Sequence, residues 1–168
     1  MKDEVKNQLK KIIGAYDEKL AEVDRLDAAK HAAQAAFPKR FATLKTETIR
    51  PAIQEFADML TGSGHEATVN EQEESSSTVA NVKWATISLR IVPKPFAHRA
   101  TQTNPSAIEV TFSANRNDGK VTVSSTNTMS NAGGGLGKRG AYDIDALTPD
   151  VVADHVLRTL QEAFAGGR

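Results

Sequence analysis

Residues 107–126 have the sequence AIEVTFSANRNDGKVTVSST, in which two alternating segments flank a turn. Within 107–113 and 120–126 apolar side chains recur at every second position, which is typical of strands with one buried face. Residues 117–119 are Asn-Asp-Gly, which tolerate the positive φ of a tight turn, so the two strands are predicted to pair antiparallel. The predicted inward-facing residues are Ile108, Val110, Phe112, Val121 and Val123.

The same alternation occurs in residues 82–92, and less regular strands are predicted at about 66–71 and near 142–144. Together these segments predict an antiparallel sheet of three to five strands. The face opposite the apolar one is rich in hydroxyl side chains, and we expect it to face solvent or a partner. Its predicted members are Trp84, Thr86, Ser88, Arg90, Glu109, Thr111, Ser113, Thr122, Ser124 and Thr126.

Helices are predicted before and after the strands. In residues 1–36 apolar side chains recur at steps of three and four, which indicates one long amphipathic helix. Pro38 disfavours helical geometry in the residue before it, so this helix is predicted to end there and a second helical segment to occupy 39–62. A third helix is predicted at 148–165, with Thr148 as its N-cap.

This order of elements predicts an α+β fold with two N-terminal helices, an antiparallel β-sheet and a C-terminal helix packed on one sheet face. A chain of 168 residues is in the usual range for one domain, so residues 1–168 are expected to form a single domain with the sheet at 65–145. A helix of some 33 residues would span about 50 Å, which is wider than such a domain. Part of residues 1–36 is therefore expected to project or to dimerise.

The composition excludes several classes of protein. The chain has 21 basic and 21 acidic residues, which removes the overall attraction that non-specific nucleic-acid binders use. It has no cysteine, which excludes disulfides and thiolate metal sites and suits a reducing compartment. No run of 18 apolar residues and no secretory signal occurs, so we expect a cytoplasmic protein without membrane association.

No motif in the sequence marks a catalytic or cofactor-binding site. The glycine-rich residues 131–140 lack the Ser or Thr that a phosphate-binding loop needs directly after its Gly-Lys pair. The four histidines do not have metal-ligand spacing, and neither a nucleophile elbow nor a His-Glu-x-x-His motif occurs. We therefore predict no catalytic residues, no metal site and no cofactor, and we expect a protein that is not an enzyme.

Two surfaces are candidates for binding. On the predicted polar sheet face a tryptophan and an arginine, which are residue types enriched at interaction hot spots, are flanked by the basic end of the 131–140 loop. A protein or peptide partner is expected there, and the predicted binding residues are Trp84, Arg90, Lys138 and Arg139.

The second candidate surface is the apolar stripe of the first helix. An exposed stripe of this kind needs a partner, and a second copy of the same helix is the simplest one because closed two-fold assemblies are the commonest oligomers. The predicted interface residues are Leu9, Ile12, Tyr16 and Val23.

These observations favour a non-enzymatic interaction module that self-associates through its N-terminal helices as a homodimer. One alternative is a single-stranded nucleic-acid binding protein, because basic and aromatic side chains are interleaved in residues 83–99. The other alternative is an enzyme without a recognisable motif.

Overall fold

The computed structural model describes residues 2–76, 81–94, 97, 106–128 and 137–165. Its helices are α1 (Asp3–Leu44), a π-helical turn (Lys45–Ile49), α2 (Arg50–Gly62), a 3-10 turn (Ile144–Ala146) and α3 (Pro149–Ala165). Its strands are β1 (Glu66–Gln72), β2 (Ser75–Ser76), β3 (Val82–Lys83), β4 (Thr86–Val92), β5 (Ile108–Asn115), β6 (Lys120–Asn127) and β7 (Gly137–Asp143).

The chain divides into two compact units, Met1–Ala36 and Phe37–Arg168. Every buried side chain of the described residues belongs to the second unit, which therefore contains the whole hydrophobic core. None of the helices that the structure describes has the length and hydropathy needed to span a membrane.

The main sheet has five strands in the order β1-β4-β5-β6-β7, and each neighbouring pair is antiparallel. The predicted hairpin forms as β5 and β6, with Phe112 opposite Val123 and Gly119 in the turn at a φ of 66°. A glycine fits there because this φ lies in the left-handed region. The predicted α+β class with an antiparallel sheet is confirmed.

One face of the sheet is apolar, and both α2 and α3 pack against it. Ile53 of α2, Phe112 of β5 and Val156 of α3 are all fully buried in one cluster. The predicted alternation is confirmed in β5, whose residues are buried at every second position from Ile108 to Ala114.

The predicted helix break at Pro38 is wrong, because α1 runs through this residue to Leu44. Phe37 and Phe41 lie one turn apart with their ring centroids 6.5 Å from each other, and both are buried in the core. Burial of two such side chains is worth about 1.5–3 kcal/mol each, which is enough to offset a proline penalty of about 3 kcal/mol. The predicted second segment at 39–62 is helical, but it begins as a continuation of α1.

The π-helical turn between α1 and α2 keeps one face of the chain directed to the core. Buried residues recur at steps of four from Phe37 to Ala57. A regular α-helix rotates about 40° beyond a full turn in four residues, so such a row would drift away from the core. The wider i→i+5 turn at Lys45–Ile49 rotates less per residue and offsets that drift.

Two further segments differ from the sequence-based prediction. The predicted strand at 82–92 is divided, because β3 pairs with β2 in a separate ribbon while β4 joins the main sheet, and Trp84 lies between them. The glycine-rich loop predicted at 131–140 lies partly outside the described residues, and its last four residues form the start of β7. Backbone pairing with β6 explains this difference, since Gly137 lies opposite Ser125.

We predict that truncation of Phe112 to Ala lowers the free energy of unfolding by about 3–5 kcal/mol, because it removes a fully buried ring and leaves a cavity. Thr111→Ala, one residue away on the opposite face, should lower it by less than about 1 kcal/mol. Urea denaturation of the two variants measures both values. A larger loss for Thr111→Ala would contradict the strand register.

Candidate interaction surface

A continuous row of exposed apolar side chains follows helix α1 between residues 5 and 26. Eight large apolar residues in this segment are each between 48% and 66% exposed. In the rest of the described chain just three other large apolar residues are comparably exposed, and they are scattered. We call the following eight residues the α1 stripe: Val5, Leu9, Ile12, Ile13, Tyr16, Leu20, Val23 and Leu26.

The α1 stripe has the spacing of a surface that packs on another helix. Its members lie three or four residues apart, apart from the adjacent pair Ile12 and Ile13, and they fall at positions a, d and e of a seven-residue repeat. From Val5 to Leu26 the stripe is about 32 Å long at 1.5 Å per residue. The other side of the helix is polar and includes an ion pair of 2.6 Å between Glu22 and Arg25, which lowers the pKa of the Glu22 carboxyl.

The stripe is a continuous apolar patch of the size that interaction sites often have. Burying a large apolar side chain completely is worth about 1.5–3 kcal/mol at roughly 25 cal/mol per Å², so eight half-exposed ones leave on the order of 400 Å² of apolar surface. Patches of that size on soluble proteins are commonly interaction sites, whereas single exposed apolar residues are not. All four predicted interface residues belong to the stripe: Leu9, Ile12, Tyr16 and Val23.

Sequence inspection missed Ile13 as a member of the stripe. It is the residue after Ile12 and does not continue the steps of three and four on which the helix was recognised. The sequence does show that Ile13 and Leu20 both fall at position e of the repeat. Apolar residues at position e widen the apolar surface formed by positions a and d.

The residues predicted to bind a partner on the polar sheet face do not form one cluster. Trp84 precedes β4 and Arg90 lies near its other end, and both side chains are partly buried. Six residues of extended chain separate them by about 20 Å. Lys138 lies on β7, three strand spacings or roughly 14 Å from β4, and is exposed.

Arg139 is already bonded within the protein. Its Nε donates to Ser125 Oγ at 2.6 Å, and its two terminal nitrogens donate to the carboxylate oxygens of Glu162, one of them at 2.9 Å. The hydrogen bonds from Arg139 lower the pKa of the Glu162 carboxyl. This guanidinium connects β6 and β7 to α3, so an anionic ligand would have to displace an existing carboxylate.

A histidine is buried close to this ion pair. His155 of α3 is 7% exposed, and its Nε2 lies 2.6 Å from the hydroxyl of Tyr142 on β7. Burial is the main cause that lowers the pKa of His155, and the positive charges of Arg158 and Arg139 lower it further against the opposing effect of Asp154. Through its contact with Tyr142, the histidine joins strand β7 to helix α3.

A buried lysine occupies the π-helical turn. Lys45 is 4% exposed, and its ammonium lies 2.6 Å from Glu73 and 3.3 Å from Glu71. Glu71 also receives a hydrogen bond from Arg50. The two cations and two carboxylates balance each other, so this cluster provides neither a free base nor an uncompensated charge for a ligand.

Two cavities of the second unit are an open depression and a small void. A depression of about 370 Å³ lies beside the end of α1. Across it the guanidinium of Arg40 donates a hydrogen bond to the carboxylate of Asp145 at 2.6 Å. A void of about 60 Å³ lies beside Lys45. Among the residues that the structure describes, no three acidic or histidine side chains are grouped so that they could hold a metal ion.

Comparison of this chain with protein-family models, with curated proteins and with solved structures finds no match. A functional assignment therefore depends on the chemistry and geometry of the chain itself. The α1 stripe is the most prominent surface feature on that basis.

We predict that the free energy of unfolding falls as the pH falls below about 6.5. Neutral His155 is favoured in the folded state, because burial lowers its pKa below the ordinary value of 6.5, so the unfolded chain binds the proton more readily. The contribution of neutral His155 to the free energy of unfolding is fully present above about pH 6.5, and it is lost as the pH falls through that value towards the pKa of His155 in the folded state. Urea denaturation between pH 8 and pH 5 measures this dependence.

The matched variants for that experiment are His155→Gln and His31→Gln. His155→Gln should reduce the loss of stability at low pH, and the remainder includes His65, whose pKa burial also lowers. His31→Gln, at an exposed position on α1, is the control for the effect of exchanging a histidine for a glutamine. Equal pH dependence in His155→Gln and the wild type would contradict the assignment.

Proposed function

We propose that this protein is a non-enzymatic, cytoplasmic interaction module that self-associates through helix α1 as a homodimer. The observation that carries the proposal is the α1 stripe, in which eight large apolar side chains are exposed along one side of a single helix. The absence of cysteine suits a reducing compartment and agrees with the cytoplasmic assignment.

The energetics of burial support association through this surface. Completing the burial of one half-exposed side chain contributes about 1 kcal/mol, and a two-helix interface would contain sixteen such side chains. The loss of translational and rotational freedom opposes association by about 4–15 kcal/mol. The sum of about 16 kcal/mol from burial exceeds this cost by about 1–12 kcal/mol, a range that includes the roughly 8 kcal/mol of a micromolar dimer.

The charges of the molecule favour this function over nucleic-acid binding. The net charge is zero, and most of the arginines in the described residues lie within 4 Å of a carboxylate. A phosphate backbone would have to compete with those carboxylates. The paired arginines are Arg25, Arg40, Arg50, Arg116, Arg139 and Arg158.

The polar sheet face remains the proposed surface for a protein or peptide partner of the dimer. Trp84 and Arg90 keep part of their surface exposed there, and Lys138 provides an exposed cation at the other edge of the sheet. Because Arg139 is bonded to Glu162, Lys138 is the more accessible of the two basic residues that end the glycine-rich segment.

We predict that light scattering detects a dimer of the full chain at tens of micromolar and a monomer of the Ile12→Asn variant. Ile12 is the most exposed member of the stripe, so replacing it removes interface contacts without opening a cavity in the folded core. Ala21→Asn is the matched control, because Ala21 lies on the opposite side of the same helix and loses more helix propensity by the change. It should remain dimeric.

A shortened chain starting at Ala28 tests the same proposal independently. It lacks the entire α1 stripe but keeps every residue of the buried core, so it should fold and be monomeric. A full-length chain that is monomeric at tens of micromolar would overturn the proposal, and so would a shortened chain that stays dimeric.

A further inference from the structure

We infer that the two α1 helices pair antiparallel, with Leu9 of one subunit opposite the partner's Leu26. This inference rests on the proposed self-association and adds the direction and register of the pair. Three features of the helix agree on this arrangement, namely its charge distribution, the two lysines in its seam and the residues that flank the seam.

Charge is distributed unevenly along the helix. Residues 2–11 contain four basic and two acidic side chains, whereas residues 17–27 contain five acidic and two basic ones. In a parallel pair each segment would lie against its own copy, so the two basic segments would lie side by side and so would the two acidic segments. An antiparallel pair places the basic segment of one subunit beside the acidic segment of the other.

Two lysines interrupt the apolar seam and act against parallel pairing. Lys19 falls at a d position and Lys30 at an a position, where side chains point towards the partner helix. In a parallel, in-register pair each ammonium would meet its own copy at the centre. In the antiparallel pair Lys19 lies beside the partner's Tyr16 and Lys30 beside the partner's Val5, so each aliphatic stem covers apolar surface while its charge reaches water.

The positions that flank the seam give the same direction. In the antiparallel arrangement the e positions of the two helices face each other, so Lys6 meets the partner's Asp27 and Ile13 meets the partner's Leu20. In a parallel arrangement position g faces position e, and Glu22 would oppose the partner's Asp27. The Lys6 side chain is 57% exposed, and its ammonium lies 3.9 Å from the carboxylate of Asp3. This long contact is weak and leaves Lys6 accessible to a partner.

The flanking charges also select one register. With Leu9 opposite the partner's Leu26, Ile12 lies opposite the partner's Val23, and all eight members of the stripe fall within the overlap. Sliding one helix by a heptad would place Leu9 against the partner's Lys19 and Leu26 against the partner's Lys2. That shift leaves the same number of apolar pairs in the seam, but it moves Lys6 from the partner's Asp27 to the partner's Leu20, so the Lys6–Asp27 pairs favour the first register.

Distances between spin labels on the full-length chain decide direction and register. The chain has no cysteine, so Ala35→Cys and Asn7→Cys each introduce a single labelling site on the polar side of α1. In the proposed pair the two labels at position 35 are about 55 Å apart and those at position 7 about 37 Å apart, from the rise of 1.5 Å per residue combined with a width of about 20 Å for two packed helices. In a parallel pair both distances would be about 20 Å, the width of two packed helices.

Charge exchange provides a second measurement. Asp27→Lys should weaken the dimer about two- to tenfold, because it places a lysine beside the partner's Lys6, and adding Lys6→Glu in the same chain should restore the affinity. In a parallel pair Asp27→Lys would instead tighten the dimer by relieving the repulsion with Glu22.

These experiments test the antiparallel arrangement and the proposed self-association separately. A dimer with distances of about 55 Å and 37 Å supports both. A dimer whose labels at position 35 are about 20 Å apart overturns the antiparallel arrangement and leaves self-association intact. A monomer in light scattering overturns both. Tighter association of the Asp27→Lys variant would also overturn the antiparallel arrangement.

Discussion

The apolar face of the antiparallel sheet must be covered, and the rest of the second unit follows from how that requirement is met. Helices α2 and α3 lie against this face and contribute fully buried side chains such as Ile53 and Val156 to the same core as Phe112. To bring α2 onto the sheet, the chain keeps one face inward from Phe37 onwards. The π-helical turn and a proline within α1 are tolerated because this face is buried.

The N-terminal part of α1 has a similar apolar pattern but a different outcome. In α3 the residues of the apolar stripe, such as Val152 and Val156, are buried against the sheet, whereas Val5 and Leu9 of α1 are about half exposed. An amphipathic pattern predicts that a helix has a surface to bury, but it does not specify what buries it. In the proposed assembly a second copy of the helix does so, and the charges and lysines along α1 then determine how the two copies are oriented.

Many polar groups of the second unit form hydrogen bonds or ion pairs with one another. Lys45 is held by Glu73 and Glu71, Arg139 by Glu162 and Ser125, and His155 contacts Tyr142. Each pair connects different segments of the chain, and each removes a charge or a polar atom from the set that a ligand could use. These polar groups therefore stabilise the fold. This agrees with the proposal that the protein acts by binding a partner at its surface.

The sequence by itself determined the elements whose signals are local. The alternation and the Asn-Asp-Gly turn of residues 107–126 predict the hairpin, because side-chain period and turn chemistry act over a few residues. The spacing of Leu9, Ile12, Tyr16 and Val23 likewise predicts the helix and its apolar side. Only the tertiary structure decided that α1 continues through Pro38, since the compensating burial of Phe37 and Phe41 comes from residues far along the chain. It also decided that Arg139 is bonded to Glu162, 23 residues away, because such pairings depend on how β7 and α3 come together and leave no local pattern in the sequence.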